Sequence, residues 1–365
     1  MKILPTFCQW CVLVVFATTV APVRADVPPS EYIAAKQKAK EVLHIKVVKA
    51  VYTGSRENKI HYRCQARVTQ VKRSSRSYRV GSMISFDTWH IAPPLAARIG
   101  YAGPAIPRHM YAGWSGLVFL NPVGNADVLK LAAHGRSFES DRKTLRRERR
   151  AQRHFERMER NLAMSQTIQF SYVSKGENGR ITNKTWIGRG NRVRVELAFS
   201  PSLPLVGGEL IVVSNGNKYG ERQNYKSAVG TPPHLRENFV YGFARISGSR
   251  AILGFPPGEG GDEDQRLKDT LRVCNFGLGE PEKINGRWTH VVHYTVVDSS
   301  NAARQSLHAN ETKFKTINAT LHIDVKTSLP LRRTTSLNGD QNQEEYKVRL
   351  NKEINEAHFQ FELPA

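Results

Sequence analysis

Apolar and polar residues alternate along much of this chain, which is the period of a half-buried β-strand. Residues 319–336, ATLHIDVKTSLPLRRTTS, show it most clearly, since Leu321, Ile323 and Val325 fall on one side of an extended backbone. Residues 326–328 then predict a tight connection before the next strand. The apolar side of such a strand needs a partner, which is either a filled core or a bound ligand.

The same period predicts five strands in the first part of the chain, separated by turns that contain Gly and Pro. They are residues 42–52, 60–71, 82–89, 115–121 and 127–133. A segment of about 95 residues with this pattern is typical of a small closed barrel. We therefore predict a barrel over residues 42–138, preceded by a polar helical segment at 26–41.

Residues 141–164 break the strand period and predict a basic amphipathic helix. Ala151, Phe155, Met158 and Leu162 recur at spacings of four, three and four, which places them on one narrow stripe. Three interpretations remain open: a solvated helix packed by its stripe on the next domain, a helix on a membrane surface, and a lid over a cavity. The narrow stripe favours the first over the second.

The strand period then returns and predicts a second, larger β domain, which begins with this helix and spans residues 139–365. Val193, Val195 and Leu197 alternate with charged residues, and the Asn-Gly pair at 215–216 is a strong signal for a hairpin turn. A second region of β structure therefore follows the barrel.

A second helix is predicted behind the proline pair at 232–233. Leu235, Phe239, Val240 and Phe243 share one face of it. This helix therefore also needs an apolar surface to cover.

The N-terminus has the features of a signal peptide, residues 1–25. Lys2 is followed by an apolar run, too short to span a bilayer, and Val23-Arg24-Ala25 fits the cleavage rule. We expect cleavage near Ala25 and a periplasmic or secreted protein. No later segment is apolar enough to predict a transmembrane helix in the mature chain.

The chain is strongly basic, with 54 Lys and Arg against 32 Asp and Glu, a formal charge of +22. An exported protein of this charge is expected to meet anionic lipid head groups, polysaccharide or an acidic protein partner rather than nucleic acid. A basic surface without a partner is the alternative. The predicted basic surface consists of Lys72, Arg73, Arg76, Arg146, Arg147, Arg149 and Arg150.

Two cysteines, Cys64 and Cys274, remain beyond the signal peptide. Cys64 lies on the apolar side of its strand, a pattern typical of a buried thiol. Export permits a disulfide, but we expect these two cysteines to be unbridged.

The residues favour no catalytic chemistry. His290 and His293 lie three apart in one predicted strand, so they face opposite sides and cannot chelate together. Asp262, Glu263 and Asp264 lack the alternating oxygen ligands of a calcium loop. The sequence has no Gly-x-Ser-x-Gly nucleophile elbow, and its Gly-rich stretches lack the context of a phosphate loop. We predict a protein that is not an enzyme and has no metal or cofactor.

Two resemblances to known families refine these expectations. Residues 42–138 resemble netrin-like OB barrels through YRVGSMISF, GWSGLVFLN and LAAHGRSFE. The cysteines that staple many such domains are missing, so protease inhibition is not implied. Residues 141–365 resemble the lipoprotein-carrier superfamily (LolA and LolB) through NGNKY, INGRWTHVVHYTV, LHIDVKTSLPLRRT and INEAHFQFELP, in that order.

The second resemblance implies a curved antiparallel half-barrel whose concave apolar face binds acyl chains under helices. The residues expected on that face or its helical lid are Phe155, Met158, Leu162, Trp186, Val193, Val195, Leu197, Phe239, Phe243, Leu321, Ile323 and Val325. The lid-latching arginine of the carriers has no single counterpart, because Arg189, Arg192 and Arg194 compete for it.

These observations predict a mainly β fold with a few helices: a small OB-like barrel followed by a LolA-like antiparallel half-barrel capped by helices. The main functional hypothesis is an exported, non-catalytic protein that binds a lipid or acylated molecule. The alternative is an envelope interaction or scaffold protein with a filled core and a basic partner-binding surface.

Overall fold

The computed structural model describes residues 27–56, 59–124, 127–176, 179–199, 208–223, 226–230, 234–245, 271–298, 316–337 and 340–360. The predicted signal peptide and the acidic loop at residues 262–264 lie outside these ranges. Among the described residues, no helix is long and apolar enough to cross a membrane.

The first sheet closes on itself as a small barrel. Its strands are β1 (Glu41–Arg56), β2 (Lys59–Ser74), β3 (Met83–His90), β4 (Ser115–Pro122), β5 (Val128–Leu131) and β6 (Phe138–Ser140), with α1 (Pro29–Lys38) before them and α2 (Pro93–Arg98) after β3. The order is β1-β2-β3-β5-β4, and β1 also pairs with β4, which completes the ring. Because β3 and β5 run parallel, the ring has the predicted OB-like arrangement, and this part of the fold prediction is confirmed.

Strand β1 bonds to β2 along its length and to β4 near its start because it is strongly bent. Its register with β2 shifts at Val42/Leu43, His44/Ile45, Val47/Lys49 and Tyr52/Gly54. Such irregularities increase twist and allow a short sheet to curl closed. The thiol of Cys64 is free and fully buried inside the barrel, and Cys274 is free as well, as predicted.

The predicted basic helix is α3 (Arg142–Met164). The carboxylate of Asp141 caps it by accepting from the Thr144 backbone N–H at 2.6 Å and also accepts from the Ser115 hydroxyl of β4 at 2.7 Å. The start of the helix is therefore fixed to the barrel. Ala151 and Phe155 of the predicted stripe are buried against the second sheet, so the stripe packs on the next domain.

The second sheet contains twelve described strands, and all its pairings are antiparallel. They are β7 (Ile168–Gly176), β8 (Gly179–Ile187), β9 (Arg192–Phe199), β10 (Gly208–Asn215), β11 (Tyr219–Gln223), β12 (Lys226–Gly230), β13 (Leu271–Leu278), β14 (Glu282–Ile284), β15 (Arg287–Asp298), β16 (Thr316–Asp324), β17 (Pro330–Leu337) and β18 (Asp340–Leu350). Their order is β12-β11-β10-β9-β8-β7-β18-β17-β16-β15-β13, with β14 beside β15. The predicted Asn-Gly turn joins β10 to β11, and Gly216 has a φ of +97° there.

Helix α4 (Leu235–Gly242) and α3 cover one face of this sheet, which we call the inner face. Alternate residues of the strands point to it, as the period of two requires. Phe239, Val240 and Phe243 of the predicted apolar face of the second helix are buried there. The predicted fold class, a small barrel followed by a helix-capped antiparallel sheet, is confirmed.

Candidate functional site on the inner face of the large sheet

Most of the predicted ligand-facing residues meet in one cluster on the inner face. Each of them is at most 1% exposed: Phe155, Met158, Leu162, Val193, Val195, Leu197, Phe239, Phe243, Leu321 and Ile323. The sequence period therefore identified the correct side of these strands. The side chains pack against one another, so in this conformation α3 and α4 occupy the inner face themselves.

Two predicted members of this face lie elsewhere. Val325 is 45% exposed, because β16 ends at Asp324 and the chain turns away before the alternation can continue. Trp186 is half-buried on the opposite face of β8, where its ring stacks on His358 with centroids 4.4 Å apart. Its neighbours Thr185 and Ile187 are the buried residues of that strand, so the prediction for Trp186 is wrong by one position of the pleat.

A charged pair lies inside the apolar cluster. Arg333 on β17 and Glu344 on β18 are each 1% exposed and stand opposite each other in the register. The Arg333 Nη2 and Nε atoms lie 2.6 and 3.0 Å from Glu344 Oε2. The remaining Nη1 donates to the backbone carbonyl of Phe243, at the C-terminal end of α4, at 2.7 Å. The pair therefore connects the sheet to the helix that covers it.

Two tyrosines complete this polar group. The Tyr346 hydroxyl donates to Glu344, and the Tyr294 hydroxyl donates to the carbonyl of Ala244. Burial raises the pKa of both phenols, so both stay protonated donors. Burial alone would lower the pKa of the Arg333 guanidinium, but the charge of Glu344 outweighs it and the pKa is raised. Arg333 therefore stays charged, and both phenols stay donors, at every ordinary pH.

Arginines at both ends of helix α4 also bind neighbouring elements. At its start, Arg236 donates to the carbonyls of Gly188 and Ser165. After its end, the Arg245 guanidinium binds Glu159 of α3 with its Nη2 at 2.7 Å and the Leu271 carbonyl with its Nη1 at 2.9 Å. Both termini of α4 thus depend on polar contacts made by arginines.

The sequence interpretation missed Arg333. An available signal was the Asn-Gly pair at 338–339, since a two-residue turn there aligns Arg333 with Glu344 across a hairpin. Of the arginines considered for a latch, Arg192 pairs with Glu356 and Arg194 with Glu196.

The predicted basic surface is partly structural. Lys72, Arg146, Arg149 and Arg150 are exposed, as expected. Arg147 is not a free surface charge, because its Nη2 donates to the carbonyls of Leu278 and Gly279 at 2.8 and 3.1 Å. It connects α3 to the large sheet.

The Arg73 and Arg76 side chains likewise donate to main-chain carbonyls, those of Lys36 and Gly124. These two side chains therefore also form hydrogen bonds within the first part of the chain.

The two histidines of β15 face opposite sides, as predicted. His290 stacks on His154 of α3 with centroids 3.8 Å apart, and His293 stacks on Tyr111 at 5.5 Å. Within the described ranges, no group of three or more His, Cys, Asp or Glu side chains is placed to hold a metal ion.

No protein-family model matches the chain, and no curated protein matches it. Solved structures with a similar fold include the lipoprotein LppX of Mycobacterium tuberculosis, with 11% identity and a TM-score of 0.33, over 57% of this chain and 98% of that one. MucB in complex with MucA, from Pseudomonas aeruginosa, has 14% identity and a TM-score of 0.29, over 58% and 61% of the two chains. A LolA-superfamily protein of Nitrosomonas europaea has 10% identity and a TM-score of 0.25, over 58% and 97%.

The description of the fold rests on the strand pairings of this chain. The resemblance of the barrel to netrin-like domains stays a prediction.

Proposed function

We propose that this protein is an exported, non-catalytic binding protein that holds a lipid or another acylated molecule on the inner face of the large sheet. The observation that carries the proposal is the Arg333–Glu344 pair beneath the end of α4. Removing two charges from water costs several kcal/mol per ion, and apolar residues of similar volume stabilise a core as well or better. The Arg333–Glu344 pair, which binds the Phe243 carbonyl at the end of α4, is therefore better explained if α4 detaches from the sheet and docks on it again.

In the structure α4 covers part of the inner face, and its detachment would expose that part. Phe239 of α4 and Phe243 at its end cover the inner face, and their departure would free apolar surface for an acyl chain. Each CH₂ group buried there contributes roughly 0.8 kcal/mol. Arg333 would then direct its Nη1 donor to the polar head of the ligand instead of the Phe243 carbonyl.

The rate at which the delipidated protein takes up a fluorescent fatty acid tests this proposal. We expect uptake at micromolar ligand, and we expect the double variant Arg333→Met/Glu344→Gln to accelerate it several-fold, because it removes the bond to the helix carbonyl. The matched control is Arg332→Met/Glu345→Gln. This pair sits one residue away on the same two strands, at 3.3 Å, and faces the opposite side. Absence of uptake, or equal acceleration by both variants, would contradict the proposal.

A second candidate function is favoured by the packing of the cluster. Because its members are at most 1% exposed and contact one another, the same structure fits an envelope interaction or scaffold protein with a filled core. The exposed arginines of α3 would then be the partner-binding surface. Failure to take up fatty acid, together with salt-sensitive binding to an anionic polymer, would favour this candidate.

A further inference from the structure

A cleft of about 710 Å³ lies between the barrel, α3 and the large sheet. Its apolar walls come from Ile91, Ala96 and Ile106 beside the barrel, Leu145 of α3, and Val273 and Phe276 of β13. The volume is within the range of small-molecule sites, which are about 300–1,000 Å³. The cleft is separate from the inner-face cluster, and the ring of Phe276 lies between them, 5.4 Å from Phe155.

The cleft is preformed, because partly buried hydrogen bonds join its two sides. The Asn275 Nδ2 of β13 donates to His90 Nε2 of the barrel at 2.8 Å, and His90 Nδ1 therefore donates to the Pro107 carbonyl at 2.7 Å. Deeper in the interface, Asn318 Nδ2 donates to the Tyr62 hydroxyl at 2.8 Å. The walls are consequently held in place without a ligand, which lowers the entropic cost of binding.

Tyr111 supplies an unused donor at this site. It lines the cleft and is only 5% exposed, and its hydroxyl has no hydrogen-bond partner among the described residues. Burial raises the pKa of this phenol, so it remains a donor. Gly277 allows the ring to sit where it does, since a Cβ there would lie 2.6 Å from Tyr111 Cε1. The hydroxyl can therefore donate to an acceptor on a ligand in the cleft.

The charges at the cleft favour an anion. Arg108 is neutralised by Glu148, with Nη2 and Oε2 2.7 Å apart, whereas Arg149 is exposed and forms no ion pair with a described carboxylate. His90 and His109 are neutral, because burial lowers the pKa of His90 to about 4 and that of His109 well below its usual value. One excess positive charge therefore stands at the rim.

We infer that this cleft is a binding site for a small anion with an apolar body, whose acidic group meets Tyr111 and Arg149 while its body lies along Ile106 and Phe276. The inference does not depend on the proposed function of the inner face. It assigns a ligand class to the junction of the two sheets, which neither resemblance implies.

Anilinonaphthalene sulfonate, a fluorescent anion with an apolar body, tests the inference on the full chain. Ala96→Trp fills the cleft and is expected to weaken binding by at least about tenfold. Ala97→Trp is the matched control, since Ala97 is the exposed neighbour on α2 and does not line the cleft. It should stay within about twofold of the parent. Equal binding by both variants would overturn the inference.

Two further measurements remain decisive if the tryptophan variant does not fold. Arg149→Gln should weaken binding several-fold and reduce its dependence on salt, whereas Arg146→Gln, one turn earlier on α3 and away from the cleft, should not. Saturating probe should also slow alkylation of the Cys274 thiol, which lines the cleft, without changing that of the fully buried Cys64. Unchanged alkylation of Cys274 would place the probe elsewhere and contradict the inference.

Discussion

The buried pair of Arg333 and Glu344 leads to a prediction that depends on no ligand. Replacing Arg333 by Met leaves the Glu344 carboxylate, which is 1% exposed, without its cationic partner, although the Tyr346 hydroxyl still donates to it. Breaking one side of a buried ion pair costs about 3–5 kcal/mol. The Phe243 carbonyl loses its donor as well, which accounts for about 1–3 kcal/mol of a loss of this kind. We therefore expect Arg333→Met to lower the free energy of unfolding by at least about 3 kcal/mol.

The double variant Arg333→Met/Glu344→Gln should be less damaging than either single change. It removes both charges and leaves mainly the unpaired Phe243 carbonyl, so we expect a cost of about 1–3 kcal/mol. The two single effects are then strongly non-additive, by at least about 2 kcal/mol. The same cycle on Arg332 and Glu345 provides the control, and this partly exposed pair, with side chains 24% and 49% exposed, should couple by about 0–1 kcal/mol.

Chemical denaturation followed by far-ultraviolet circular dichroism measures all seven proteins of the two cycles, since the parent serves in both. The reasoning is refuted if Arg333→Met costs less than about 1 kcal/mol, or if both cycles show the same small coupling. Either result would mean that the Arg333 side chain reaches water in solution and does not hold the end of α4.

Three further predictions concern packing, pH and charge. Leu321→Ala should cost about 2–5 kcal/mol in the same denaturation experiments, since Leu321 is fully buried, whereas Val325→Ala should stay within about 0.5 kcal/mol; equal costs would contradict the placement of the strand end. Burial lowers the pKa of His90 and His293 to about 4, below about 6.5 in an unfolded chain. Stability should therefore be complete above about pH 6.5 and fall towards pH 4, by up to about 1.4 kcal/mol per pH unit for each histidine, and His293→Gln should flatten that slope in a denaturation series. Binding to phosphatidylglycerol vesicles should decrease with salt and with neutralisation of the exposed arginines of α3; a sedimentation assay without salt dependence would exclude this surface.

The sequence predicted those features that local periodicity determines. The stripe Ala151, Phe155, Met158 and Leu162 is buried as expected, because spacings of three and four define one side of a helix in any context. The opposite orientations of His290 and His293 follow equally directly from the pleat of one strand. Most residues of the inner face could therefore be predicted from the sequence alone.

The remaining features depend on where elements end and how they dock. Val325 follows the last residue of β16, and an alternating pattern does not show where a strand ends. The sequence alone places Arg333 on a polar face of its strand. Its buried position is stable because the strand register aligns it with Glu344. The cleft exists because α3 is fixed to the barrel at one end and packs on the large sheet along its length, which no single segment encodes.

Native mass spectrometry of the protein purified without detergent from its own envelope fraction tests the central claim most directly. The account predicts a bound species that adds mass to the chain and is removed by extraction with organic solvent. Its mass would also identify the ligand. A chain that is bare in such preparations, and that takes up no fatty acid afterwards, would contradict the claim and favour the scaffold function.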